Sequence, residues 1–267
     1  MEIQSRFDDF LKIQKTRNSY DINNKTLVDD FERLGNKKEY NDHGMLPQVF
    51  ALSNDDCIGE LIIDTFGSLL FRGTKHAYFL CNINTVLMRK NLNDPESKVF
   101  SYLRTWVKKE KIDLLKQFKS FVVPFNTSNK LKGGHWIFIG IKLNDEGIFR
   151  ITVFDSYDFG HNLLKEHLER VIDVIIRFIY KNNTDKKKIK MNKPVQYEYF
   201  FIRKIQNDGH NCGPWVMKLM KMYLEADGDI TKMKKIYVKD EENLVDFKES
   251  LSTFFKIFNS KTEKKKN

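Results

Sequence analysis

The chain has 267 residues, of which 41% are hydrophobic and 13% aromatic, and its formal net charge is +10. The low counts of proline (5) and glycine (13) argue for a globular and against a disordered chain, and the length suits one domain with an N-terminal extension or a small additional lobe. Its apolar runs are shorter than the roughly 18 residues of a transmembrane helix, and its first residues are charged throughout, so we expect a soluble protein with no membrane span and no signal peptide.

The N-terminal half predicts helices. Residues 1–50 are polar with short apolar repeats, which is typical of a small helical extension or lobe. The apolar spacing of residues 57–70 predicts a helix, and residues 102–118 predict another with a basic outer face. We expect a main domain over residues 51–258 and a charged tail over residues 259–267.

The pattern changes to strands at residue 121. FVVPF (121–125), HWIFIGIKL (135–143) and IFRITVF (148–154) predict three adjacent strands, because turn residues separate them. Residues 161–180 then have one apolar face and predict a packed helix, and YFFIRKI (199–205) predicts a further strand. This order indicates an α+β fold, with a sheet covered by helices.

The turn QNDGHNCG (206–213) is followed by PWVMKLMKMYLE, which has helical apolar spacing. Gly209 is expected to permit a tight reversal, and Pro214 suits the first turn of a helix, so Cys212 is expected to open that helix. The positive end of the helix dipole stabilises a thiolate there. Alternatively, a lone cysteine such as Cys212 is a small buried hydrophobic residue with a structural role only.

The other cysteines and the lysine runs carry less information. Cys57, Cys81 and Cys212 form no CxxC pair and no zinc-type spacing with histidine, so we expect no metal, no cofactor and a reducing, cytosolic compartment. The lysine-rich stretches 186–190 and 264–266 are typical of a solvated loop and tail. Their alternative role is attraction to an acidic partner, but no nucleic-acid-binding signature accompanies them, and no DNA partner is expected.

Three further residues complete a possible thiol-hydrolase set with Cys212. A nucleophilic cysteine needs an imidazole to take its proton and a third group to orient that imidazole. His135 begins one predicted strand and Asp155 ends the next, so a hairpin would bring them together. Gln206 could donate its amide N–H to an oxyanion hole that the backbone N–H of Cys212 completes. Each residue also has an ordinary explanation, as a strand-end histidine, a turn aspartate or a polar loop glutamine.

Three sequence blocks resemble a known family. GGHW (133–136), VFDS (153–156) and QNDGHNCG (206–213) resemble the signature blocks of the ubiquitin-like-protein proteases of clan CE, and FVVPFN (121–126) is also similar. The resemblance covers about residues 120–225. Members are cysteine proteases that cut after the C-terminal Gly-Gly of SUMO, related modifiers or ubiquitin, and they include bacterial effectors that act in host cells.

The resemblance implies a fold and a set of roles. The fold would be the papain-like α+β arrangement, a central mixed sheet flanked by helices with the nucleophile at a helix N-terminus. Cys212 would be the nucleophile, His135 the general base, Asp155 its orienter and Gln206 the oxyanion-hole donor. Trp136 would roof the tunnel for the glycine tail of the modifier, unless it is simply an aromatic packed in the core. The compartment would be the host cytosol if the protein is a secreted effector.

The chain departs from the family at three places. Asn211 precedes the cysteine where the family usually has aspartate, and His210 is expected to be a loop residue that is poorly aimed for proton abstraction. The family's upstream Trp-Leu-Asn-Asp motif, which precedes a helix, is not recognisable, and YFLCNIN (78–84) is a faint candidate with no assigned role. Cys57 and Cys81 are expected to be structural.

Alternative functions follow from the same clan. Its bacterial acetyltransferases use a similar His, acid, Cys set, and they bind an inositol phosphate that would suit a chain of charge +10. An inactive relative could only bind a modifier. Trp136 and the spacing of Gln206 favour the protease, and the form NCGPW with the missing upstream motif favours an effector-type deubiquitinase over a SUMO protease.

Overall fold

A computed structural model of the chain describes residues 58–71, 74, 76–80, 83–84, 103, 114–127, 134–156, 161–181, 196–199, 206–239 and 244–252. The predicted N-terminal lobe, the charged tail and both lysine runs lie outside these ranges, as do Cys57, Cys81 and most of the helix predicted at 102–118. The domain boundaries therefore stay predictions.

The described part of the chain contains helices and strands, with three strands in succession in its middle. In chain order they are α1 (Glu60–Phe71), β1 (Ala77–Phe79), β2 (Ile83–Asn84), α2 (Leu114–Gln117), β3 (Ser120–Asn126), β4 (Trp136–Leu143), β5 (Phe149–Phe154), α3 (His161–Lys181), β6 (Gln196–Tyr199), α4 (Cys212–Glu225) and α5 (Ile230–Lys239). Residues 244–252 are also helical.

Most predicted elements are confirmed. Strands β3, β4 and β5 and helices α1, α3 and α4 lie within three residues of their predicted bounds. The strand predicted at 199–205 begins earlier, at Gln196, and residues 200–205 lie outside the described part. The described residues of the segment YFLCNIN contribute to β1 and β2.

The described strands form one mixed sheet in the order β1-β3-β4-β5-β6, with β2 also pairing with β3. Strands β3, β4 and β5 pair antiparallel, and the short connection between β4 and β5, residues 144–148, requires this of that pair. Strands β1 and β2 pair parallel to β3, and β6 pairs parallel to β5. The predicted α+β class is therefore confirmed.

Helix α4 packs along strand β4, and this packing positions the site. All seven residues of β3 are buried and β4 is almost wholly buried, so both faces of the sheet centre are covered. A Cβ added at Gly140 would lie 2.6 Å from the Tyr223 ring, so the glycine lets the C-terminal end of α4 approach the sheet. At the other end, a Cβ on Gly213 would lie 3.4 Å from Trp136. Helix α4 thus begins beside the start of β4.

No helix in the ranges given above is both long enough and apolar enough to cross a membrane.

Candidate active site

Cys212 is the first residue of helix α4, as the sequence predicted. Its thiol is free and its side chain is 4% exposed. Asn211 is the N-cap residue but makes no side-chain capping bond, and Pro214 lies in the first helical turn, where a backbone N–H needs no intrahelical partner. The sulfur therefore lies at the positive end of the helix dipole.

Gly209 does not have the role that the sequence suggested. It is not among the described glycines with positive φ, and a Cβ added to it would meet nothing within 4 Å. The turn before Cys212 therefore does not require a glycine at this position. Side-chain hydrogen bonds, described below, hold the turn instead.

The sheet register brings His135 and Asp155 together. In the β4–β5 ladder Phe138 pairs with Phe154, so one step further Asp155 lies opposite Ile137, and His135 is its diagonal neighbour on the same face. The backbone of His135 is also fixed to the end of β3, because its C=O accepts the N–H of Thr127 at 2.9 Å and its N–H donates to Thr127 Oγ1 at 3.2 Å. Both strand ends are therefore set by the sheet.

The two side chains are in direct contact. His135 Nε2 lies 2.5 Å from Asp155 Oδ1, and the side chains are only 11% and 8% exposed. Since Nε2 is occupied by the carboxylate, Nδ1 is the ring nitrogen that remains for the hydrogen bond between His135 and Cys212. The structure thus brings His135, Asp155 and Cys212 together in one cluster.

The charge balance favours a protonated His135. Burial alone lowers its pKa, but the hydrogen bonds with Asp155 and Cys212 and the negative charges of both groups outweigh burial and raise the pKa of His135 to about 9. At neutral pH the His135 ring is therefore largely protonated. The cluster can hold a thiolate beside an imidazolium, which is the reactive form of a cysteine nucleophile.

Gln206 lies beside this cluster but is held by other residues. It is 2% exposed, and its Oε1 accepts a hydrogen bond from Ser156 Oγ at 2.6 Å. Its Nε2 donates to the backbone oxygen of Asp208 at 2.8 Å and makes a longer contact of 3.3 Å with Asp208 Oδ1. The NH₂ group is thus directed into the loop before Cys212, and the C=O is directed away from it.

Asp208 organises that loop. Its Oδ1 accepts the backbone N–H groups of His210 and Asn211 at 3.0 and 2.8 Å, and its Oδ2 accepts the Asn211 side-chain amide at 3.0 Å. Burial opposes ionisation of this carboxyl group, but these hydrogen bonds and the His210 ring outweigh it and hold the pKa of Asp208 below its usual value. His210 Nε2 is 3.7 Å from Asp208 Oδ1 and belongs to the loop, as expected.

The exchange of the family's aspartate for Asn211 has a physical reason here. Asn211 Nδ2 donates to Asp208, while its Oδ1 accepts from Lys248 Nζ at 3.0 Å. An aspartate at 211 would place two carboxylates against each other, whereas an amide supplies both the donor and the acceptor that its neighbours need. Lys248 is 6% exposed and ties helical residues 244–252 to the loop.

Trp136 is buried beside the cluster. It is 3% exposed, and its Nε1 donates to the backbone oxygen of Ile58 at 3.2 Å. The Ile58 side chain also lies 2.3 Å from the position of a Cβ on Gly213. The residues just before α1 therefore cover Trp136 and the start of α4, which matches the packed-aromatic alternative. The roofing role of Trp136 stays a prediction.

Sequence reasoning missed three residues of this site, namely Ser156, Asp208 and Lys248. Ser156 and Asp208 stand inside the quoted motifs, but no role was assigned to them. Lys248 had no signal at all, because its partner Asn211 is 37 residues away in the sequence.

The chain matches a sequence model of a known family over most of its length. The model of the Ulp1 protease family, C-terminal catalytic domain, matches residues 77–260. Among curated proteins no match is found.

Solved structures give a weaker likeness. The C-terminal Ulp1 protease domain in complex with Smt3, the yeast ortholog of SUMO, is 15% identical, with 77% of this chain and 79% of that chain covered and a TM-score of 0.52. The effector XopD of Xanthomonas campestris, bound to ubiquitin, is 12% identical, with 74% and 91% covered and a TM-score of 0.43. The effector ChlaDUB1 of Chlamydia trachomatis is 13% identical, with 84% and 92% covered and a TM-score of 0.43. At 15% identity, the likeness to the Ulp1 protease domain shows a shared fold.

Proposed function

Because the chain belongs to the Ulp1 protease family and is a cysteine protease, we propose that it cleaves the bond after the C-terminal Gly-Gly of ubiquitin or a ubiquitin-like modifier. The resemblance seen in the sequence is confirmed by that family match. One observation carries the assignment of the chemistry, namely that Cys212 is hydrogen-bonded to a His135 ring that Asp155 holds at 2.5 Å.

The first step is attack by the thiolate. Cys212 Sγ adds to the carbonyl carbon of the modifier's last glycine, and a tetrahedral oxyanion forms. Protonated His135 then gives its proton to the leaving amine, which is a lysine Nζ in a conjugate, and the C–N bond breaks. This leaves a thioester between the modifier and Cys212. Neutral His135 next removes a proton from water, whose oxygen attacks the thioester and restores the thiolate and the imidazolium.

The oxyanion would be held by two N–H groups. The backbone N–H of Cys212 lies in the first turn of α4, where N–H groups have no intrahelical partner. Gln206 Nε2 carries two hydrogens, and the 2.8 Å contact with the Asp208 backbone oxygen uses one of them. The hydrogen that makes the longer, weaker contact of 3.3 Å with Asp208 Oδ1 is the proposed donor to the oxyanion.

Trp136 is the proposed contact for the glycine tail of the modifier. It follows His135 directly in the chain, and its ring lies 3.4 Å from the position of a Cβ on Gly213, next to Cys212. A tail that passes so close to this ring has room only for residues without side chains. A terminal Gly-Gly satisfies that requirement.

Within this function we propose that ubiquitin is preferred over SUMO. The support is in the sequence, where NCGPW and the absent upstream tryptophan motif resemble the effector branch of the clan. In the structure, Ile58 and Gly59 directly precede α1, and Ile58 covers Trp136.

The test is hydrolysis of C-terminal aminocoumarin derivatives of ubiquitin and of SUMO by the wild type and by Cys212→Ala. We expect release of coumarin from ubiquitin at a higher kcat/KM than from SUMO, and none with the variant. Release from SUMO alone would overturn the ubiquitin preference. Release from neither, together with transfer of label from acetyl-CoA to protein, would replace the protease by the acetyltransferase of the same clan.

A further inference from the structure

We propose that Ser156 is a positioning residue for Gln206, which makes it part of the oxyanion-stabilising machinery; this proposal rests on the function proposed above. Ser156 directly follows Asp155 at the end of strand β5. The Asp155 side chain contacts His135, and the Ser156 side chain contacts Gln206. One strand end would therefore position both the proton-transfer group and the oxyanion donor.

The contact is short, buried and reinforced by the backbone. Ser156 Oγ donates to Gln206 Oε1 at 2.6 Å, and both residues are 2% exposed. The backbone N–H of Gln206 also donates to the C=O of Ser156 at 3.2 Å. Gln206 is thus held at both its backbone and its side chain by a residue 50 positions earlier in the sequence.

The hydroxyl matters because a glutamine side chain has several rotatable bonds and two different ends. Donation by Ser156 fixes the position of Oε1, and the NH₂ group then lies on the side of Asp208. The reverse orientation would put Oε1 against the backbone oxygen and the carboxylate of Asp208, which are both acceptors. Asp208 therefore selects the NH₂ end of Gln206 to face the loop, and Ser156 holds the opposite end, Oε1, in place.

A purely structural role makes a different prediction. If Ser156 only satisfied a buried polar group, its removal would lower stability by leaving Gln206 Oε1 without its donor. In that case Ser156→Ala would lower kcat by the same factor in the wild type and in the Gln206→Ala background. A positioning role makes the two residues interdependent in the rate of hydrolysis, since Ser156 then acts through Gln206.

The experiment is a double-mutant cycle with Ser156→Ala, Gln206→Ala and the double variant, measured as kcat and KM on the best coumarin substrate. Removal of one oxyanion donor typically costs about 100- to 1000-fold in kcat, so we expect about 10- to 100-fold for Ser156→Ala with little change in KM. In the Gln206→Ala background the further loss from Ser156→Ala should be less than about twofold.

Two controls separate positioning from general damage. Alkylation of Cys212 by iodoacetamide needs no oxyanion hole, so Ser156→Ala should react at nearly the wild-type rate while hydrolysis falls. Ser120→Ala removes another buried serine hydroxyl, from strand β3, and should leave kcat within about twofold of wild type. If Ser156→Ala does not fold, Ser156→Cys keeps the volume with a weaker donor and serves in the same cycle.

The outcomes are distinguishable. A wild type that hydrolyses no modifier derivative would overturn the proposed function itself. An active wild type in which Ser156→Ala keeps its full kcat, or loses as much in the Gln206→Ala background as alone, would overturn the role of Ser156 and leave the protease assignment standing.

Discussion

The two halves of the site are held in place in different ways. His135 and Asp155 stand at strand ends, and the ladders from β3 to β5 fix their relative position. Gln206 and Asn211 lie in a loop whose shape depends on side-chain hydrogen bonds with Ser156, Asp208 and Lys248. The proton-transfer half therefore depends on the sheet, and the oxyanion half depends on a few individual polar groups. Single substitutions of polar residues should therefore impair the oxyanion half and leave the proton-transfer half intact.

The largest effect is expected from His135→Ala. The substitution removes the imidazole that transfers a proton during both formation and hydrolysis of the thioester. We therefore expect kcat to fall at least about 1000-fold in a steady-state assay. His210→Ala is the matched control, because that histidine belongs to the loop and its ring contacts Asp208 at 3.7 Å. Near-wild-type activity of His135→Ala combined with an inactive His210→Ala would mean that the wrong histidine has been assigned.

The strand-end half should also have its own pH dependence. The folded-state pKa of His135 is raised to about 9 from 6.5, so kcat/KM should fall as the pH rises through about 9 and the imidazolium loses its proton. Asp155→Asn removes the negative charge that raises this pKa and leaves only a neutral acceptor, so the fall should begin at lower pH. A pH profile of both proteins gives the comparison, and an unchanged alkaline limb in Asp155→Asn would contradict it.

The same shift predicts a pH-dependent stability. A raised pKa means that the interaction contributes fully below about pH 6.5 and is lost as the pH rises through about 9. The Tm of the wild type should therefore fall across that window by more than the Tm of His135→Ala. Equal falls in the two proteins would remove His135 from the explanation.

The hydrogen bonds of the loop half can be tested by adding a negative charge next to Asp208. Asn211→Asp replaces the donor to Asp208 by a second carboxylate at about 3 Å, and we expect a loss of about tenfold in kcat/KM from the distorted loop. Asp208→Asn in the same chain restores a donor and acceptor pair and should recover most of that loss. If Asn211→Asp alone has wild-type kinetics, the amide contact from Asn211 to Asp208 is not needed for loop geometry.

The smallest effect on chemistry, and a clear one on stability, is expected from Gly140→Ala. The new Cβ would lie 2.6 Å from the Tyr223 ring, and overpacking of this kind costs about 1–3 kcal/mol in the free energy of unfolding. Gly209→Ala is the control, because a Cβ there meets nothing within 4 Å. Denaturant unfolding of the two variants should rank them in that order, and equal stability would contradict the close packing of α4 on β4.

The strand-end half was largely predictable from sequence, and the loop half was not. Strands β3 to β5 have strong apolar patterns and clear turns, so the hairpin that joins His135 to Asp155 could be anticipated. Helix α4 was marked by its periodicity and by Pro214. The Ser156–Gln206 and Asn211–Lys248 contacts join residues 50 and 37 positions apart, and no local pattern encodes such contacts.

The missed elements have similar reasons. Strands β1 and β2 have three and two residues, too few for a periodic signal. Helix α5 is rich in lysine, and its start is marked only by Asp229, whose Oδ1 accepts the N–H groups of Thr231 and Lys232 at 2.8 and 3.0 Å. That cap was present in the sequence and could have been recognised.

The most direct measurement of the central claim uses ubiquitin and SUMO, each with a thiol-reactive group in place of the terminal glycine, followed by peptide mapping of the adduct. We expect wild-type protein to be labelled at Cys212, more rapidly by the ubiquitin probe, and Cys212→Ala to remain unlabelled. An adduct on Cys57 or Cys81, or no adduct while a small alkylating reagent still modifies Cys212, would contradict the assignment of this cluster to the cleavage of ubiquitin-like modifiers.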